Sequence, residues 1–61
     1  MVLTEAQADV VLFALGTLRD TYEVEARDAG PERAGRLRQK AAEANALWLA
    51  IYGELKRRWA A

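Results

Sequence analysis

A chain of 61 residues makes one small domain at most, and such a chain buries only about 60% of its unfolded surface when it folds alone. The remedies for that shortage are disulfides, a metal or oligomerisation, and the absence of cysteine and histidine leaves oligomerisation. With 52% hydrophobic and 30% charged residues the chain is not a disordered tail, and nine bases cancelled by nine acids leave no global field to recruit nucleic acid or anionic lipid.

Taken from the N-terminus, the first signal is Thr4-Glu5-Ala6-Gln7, which fits a capping box: the threonine hydroxyl accepts the Gln7 N–H while the Gln7 side chain reaches back. A first helix is therefore expected over about 5–27, with Glu5 and Asp9 favourable near its positive end. Gly16 lies inside it and costs about 1 kcal/mol relative to alanine. The break falls at 28–31, Asp28-Ala29-Gly30-Pro31, where glycine tolerates the positive φ that ends a helix and proline suits the first turn of the next. A second helix is expected over about 31–59. So short a connection makes the two helices antiparallel neighbours. The predicted class is all-α: one hairpin domain spanning 1–61.

The longest apolar runs, Val10 to Leu15 and Ala46 to Tyr52, fall far short of the roughly 20 residues that cross a bilayer. Glu5 and Asp9 stand where an export signal carries positive charge, so a soluble, cytoplasmic protein is expected, with no membrane partner. The alanine- and arginine-rich composition points to a small bacterial or phage protein.

On the first helix Ala8, Val11, Leu15, Leu18 and Tyr22 recur at spacings of three and four. The second helix answers with Ala34, Leu37, Ala41, Ala44, Trp48, Ile51, Leu55 and Trp59. Folding at the turn sets Tyr22 against Leu37, Leu18 against Ala41, Leu15 against Ala44, Val11 against Trp48 and Ala8 against Ile51. Large faces small or medium at most levels. Charge favours the same arrangement. Asp20, Glu23, Glu25 and Asp28 lie beside Arg33, Arg36, Arg38 and Lys40, and Glu5 and Asp9 beside Lys56, Arg57 and Arg58. Each exposed pair is worth at most about 1 kcal/mol, enough to select an orientation.

Two helices can bury only one stripe each, and this sequence has more. Ala6, Val10, Phe13, Thr17 and Val24 lie opposite the first seam on helix one. Gly35, Ala42, Ala46, Leu49 and Gly53 do the same on helix two, nearly all of them small enough for close helix approach. With Trp59, which outruns the first helix, these residues form the expected oligomer interface. The simplest assembly is a homodimer completing a four-helix bundle; a higher oligomer is the alternative.

The chemical inventory is thin. Serine, cysteine and histidine are all missing, which removes the common nucleophiles and the usual general base. No Glu-x-x-His pair suits a metal bundle, and the four glycines form no phosphate loop. No catalytic residue, metal ligand or cofactor site is expected, and the chain does not read as an enzyme. Trp48, Tyr52 and Trp59 read first as core at helical spacing, and second as a strip for a protein partner or stacked bases. Arg33, Arg36, Arg38, Lys56, Arg57 and Arg58 could contact phosphates, although the acidic block across the hairpin offers a simpler use for them.

In length, turn position and heptad seams the ground plan resembles that of Rop, the plasmid-encoded RNA-binding regulators. That resemblance implies a hairpin dimerising into a four-helix bundle. The RNA-contacting residues of Rop find no counterpart here, so it carries architecture and not activity. The expected function is a non-enzymatic homo-oligomeric interaction module, a small regulator, adaptor or assembly factor whose partners are itself and a protein. The alternative is a nucleic-acid-binding bundle using the basic residues of helix two.

Overall fold

The computed structural model describes residues 3–59, and of Trp59 the backbone alone. The chain forms two helices, α1 (Glu5–Arg27) and α2 (Pro31–Trp59), which pack against each other as a hairpin. Among the described residues, no helix is long and apolar enough to cross a membrane.

Both ends of α1 are built as local chemistry requires. Thr4 is extended at φ −72°, ψ 164°; the Gln7 N–H donates to its Oγ1 at 3.1 Å, and its own N–H donates to Gln7 Oε1 at 3.0 Å. The capping box thus satisfies two donors that a helix start would leave open. At the other end the expected left-handed glycine is not used. No described glycine has positive φ. Instead α1 tightens, with the Asp28 N–H donating to Glu25 O at 3.2 Å and the Ala29 N–H to Ala26 O at 3.4 Å, both i to i−3 bonds. Gly30 serves the following helix: its carbonyl accepts the Ala34 N–H at 2.8 Å, and Pro31 fills the first helical position.

The seam on α2 follows the expected series closely. Ala34, Leu37, Ala41, Ala44 and Leu55 are buried, with Trp48 and Ile51 half-buried. On α1 the seam sits slightly round from the expected one. Ala8 and Ala26 are buried, and Val11, Leu12, Leu15, Arg19 and Tyr22 are half-buried, while Leu18 is left at the edge, 42% exposed. Ala8, Leu12, Leu15, Arg19, Tyr22 and Ala26 alternate steps of four and three, the repeat that keeps one face turned toward a neighbouring helix. Arg19 can occupy such a position because its stem is apolar and its head reaches out to polar partners. Ala26, Ala34 and Leu37 cluster at the turn, with Tyr22 and Ala29 packed on them.

Trp48 departs from its expected level. Its indole reaches Gly16, a turn beyond Val11, so that a Cβ there would lie 3.8 Å from Nε1. Long helical side chains lean toward the N-terminus of their own helix, which for α2 is the turn end.

The predicted ion pairs across the hairpin are not formed. Among the described residues the pairs within 4.0 Å are Arg19–Asp20, Arg57–Glu54 and Arg58–Glu54, each confined to one helix. Asp20 borders the groove containing Gly16 and Trp48, whereas Lys40 borders the opposite one with Leu18 and Tyr22. Cross-hairpin polar contact comes from the Arg19 guanidinium donating to Asn45 Oδ1 at 2.8 Å, and from the Lys40 ammonium 5.8 Å from the Tyr22 ring centre.

Replacing Thr4 with alanine removes the hydroxyl that accepts the Gln7 N–H and leaves the bond from the residue-4 N–H to Gln7 Oε1. Stability should fall by about 1 kcal/mol, read as a lower midpoint in urea with an unchanged slope.

Candidate functional surface

What the hairpin fails to bury is its most distinctive property. Every described residue that it buries is alanine or leucine. Phe13 is 78% exposed, Val10 68% and Leu49 55%, with Val24, Leu47 and Tyr52 also in water. Alanines at the seam let the two helices approach, but they bring little apolar area with them.

The expected interface residues do not form one surface. Ala6, Val10, Thr17 and Val24 run along the outer edge of α1, and Gly35 and Ala46 along the outer edge of α2. These edges point away from each other, so a flat partner can cover one or the other. All of those residues are exposed, as are Phe13, Ala42 and Leu49, while Gly53 is half-buried. The assignment of Trp59 lies outside the described residues.

The residues that the fold does bring together lie along one flank. Leu12, Phe13, Gly16, Thr17, Asp20 and Trp48 border a shallow groove between the helices. Beside it Trp48 stacks on Tyr52, ring centres 4.9 Å apart and planes 17° from parallel, and the Lys56 ammonium lies 5.7 Å from the Tyr52 ring. The Arg19–Asn45 hydrogen bond joins the two helices on this same side. Leu12, Gly16 and Asn45 are not among the expected interface residues, and Tyr52, expected first as core, is exposed, with Trp48 half-buried beside it. The spacing signal was there, since Leu12 and Gly16 are four apart, as are Trp48 and Tyr52. It could not be used without knowing which sides of the two helices face the same way.

The opposite flank mixes apolar and charged groups: Leu15, Leu18, Tyr22, Lys40, Glu43, Ala44 and Leu47. At the far end Leu3 borders a hollow with Ile51, Leu55 and Arg58. Among the candidate phosphate contacts, Arg33, Arg36 and Arg38 are exposed, and Arg57 and Arg58 engage Glu54. Among the described residues, acidic side chains form no group of three that could hold a metal ion. Comparison with known proteins finds no matching family model, curated protein or solved structure.

Gly35 offers a clean test of the outer edge of α2. Nothing lies within 4 Å of a Cβ built there, so in the hairpin Gly35→Ala should stabilise by about 1 kcal/mol through helix propensity. A raised thermal midpoint with unchanged association would show that no partner backbone presses on this edge.

Proposed function

We propose that this chain is a non-enzymatic, homo-oligomeric helical interaction module: a cytoplasmic homodimer completing a four-helix bundle, which acts as a small regulator, adaptor or assembly factor. One observation carries the reading. The hairpin exposes 4686 Å², whereas a compact monomer of its 6.8 kDa mass exposes about 3,950 Å². The excess of about 700 Å² per chain is close to the roughly 800 Å² that each partner contributes to a standard stable interface. The shape agrees: the radius of gyration is 13.9 Å against about 10.5 Å for a compact chain of this length. The apolar side chains left in water supply the driving force, each worth roughly 1.5–3 kcal/mol if fully covered. The want of the usual nucleophiles and general base supports a role in binding instead of catalysis.

Sedimentation equilibrium from low to high micromolar concentration tests this. The expected result is a mass rising toward twice that of one chain, with a thermal midpoint that climbs with concentration. Phe13→Asp should weaken association by at least tenfold. A single-chain mass throughout, with full helicity, would overturn the reading.

A second reading draws on Arg33, Arg36 and Arg38, which make no ion pair within 4.0 Å among the described residues and so are free to meet phosphates. It requires structured RNA or duplex DNA to bind at low salt, with affinity falling steeply as salt rises. Absence of binding at low salt would end it.

A further inference from the structure

We propose that the second copy covers one particular flank of the hairpin, the side of Gly16 and Trp48, so that α1 of each chain lies along α2 of its partner with both turns at the same end. This rests on the self-association reading and adds to it a face and an orientation.

The flank is ordered by charge as well as by hydropathy. Along α1 it runs Glu5, Asp9, Leu12, Gly16, Asp20, Glu23, and along α2 Arg38, Ala42, Asn45, Leu49, Tyr52, Lys56, every step three or four residues. The Arg19–Asn45 hydrogen bond and the groove shared by Leu12, Gly16, Asp20 and Trp48 place both stripes on the same side. On α1, acids flank an apolar centre; on α2, cations flank one. The hairpin sets these at matching heights. Tyr22 packs with Leu37, which puts Arg38 level with Asp20 and Glu23, and Leu3 borders the same hollow as Leu55, which puts Lys56 near Glu5.

Within one chain the groove holds the stripes apart, and no ion pair joins them among the described residues. A half-turn about the long axis, applied to a second copy, brings α1 onto α2 at both contacts. Acids then oppose cations at each end, and Leu12 and Gly16 oppose Leu49 and Tyr52 in the middle. The other face-to-face two-fold, with turns at opposite ends, stacks acid on acid and cation on cation. Two cations interrupt the α1 stripe. Arg19 is engaged by Asp20 and Asn45, and Arg27 lies at the turn, past the level of Arg38. The opposite flank shows no such order: along α2 it runs Lys40, Glu43, Leu47, Glu54, Arg58, with both signs of charge on one helix. Gly16 fits the same picture, since a Cβ there would make only ordinary contact with Trp48 and the hairpin itself does not require glycine.

Two charge-reversed chains test the proposal: Arg38→Glu with Lys56→Glu, and Asp9→Lys with Glu23→Lys. Each is sedimented alone and then mixed in equal amounts at low salt, where exposed charges are least screened. Each alone should associate at least tenfold more weakly than the parent, and the mixture should recover parental affinity as a heterodimer, with helicity returning if either variant is partly unfolded alone. Val10→Lys, on the outer edge, should leave the parental dimer unchanged. If the parent dimerises but both reversed chains do so equally well, or their mixture stays apart, the face and orientation are overturned while self-association stands. If the parent stays a single chain at all concentrations, the self-association reading itself fails.

Discussion

The architecture depends on a geometric limit: a pair of helices has one shared seam and no enclosed interior. Whatever the seam cannot hold stays in water unless another molecule covers it. Here the seam is built largely from alanine, with Ala8, Ala26, Ala34, Ala41 and Ala44 all buried. Alanine favours helix and close approach, but it adds little apolar area. The same choice that brings the two helices close pushes Phe13, Leu49 and much of Trp48 and Tyr52 toward the flank. Close contact inside the hairpin and apolar surface outside it are two results of one pattern.

The polar contacts follow from that limit. The acidic and basic blocks, although adjacent in the folded chain, do not clasp: among the described residues each ion pair stays within one helix. The link that does cross, from Arg19 to Asn45, is a hydrogen bond at a half-buried seam position. There the guanidinium satisfies an amide oxygen and the neighbouring Asp20 carboxylate together. Exposed ion pairs contribute little to stability in any case. Their value is in discriminating between orientations, which matters most where two copies could pack in more than one way.

Much of the fold was legible in the residues. The capping box at Thr4 and Gln7, the break at 28–31 and the full α2 series from Ala34 to Leu55 are local patterns, and local patterns can be read along a chain. One misreading is local, and the others share a cause. Gly30 was given the left-handed role that glycine often takes at a helix end, when the chain needed it to start the next helix. Leu18 and Arg19 both continue a three-four repeat between Leu15 and Tyr22, and it is the rotation of α1 against α2 that half-buries the long arginine stem and leaves Leu18 at the edge. The charge blocks were paired by proximity along the axis, without the rotation that separates flanks. That rotation is a property of two helices together, and no single helical pattern contains it.

The same reasoning bears on the surface. Reading each helix alone finds the residues opposite its seam, and so finds the two outer edges, which in a hairpin face apart. A hairpin offers a partner its flanks, where both helices contribute at once, and a four-helix bundle is two such flanks laid together. An interface of this kind takes residues at right angles to the seam: Leu12 and Gly16 from α1, Leu49 and Tyr52 from α2. Phe13 sits between outer edge and flank, which is why both descriptions include it. On the outer edges alanine and glycine forgo little by staying in water, whereas Val10 and Val24 forgo more. What sets the flank apart is that both helices supply apolar side chains to it at once, Leu12 and Phe13 from α1 beside the Trp48–Tyr52 stack of α2.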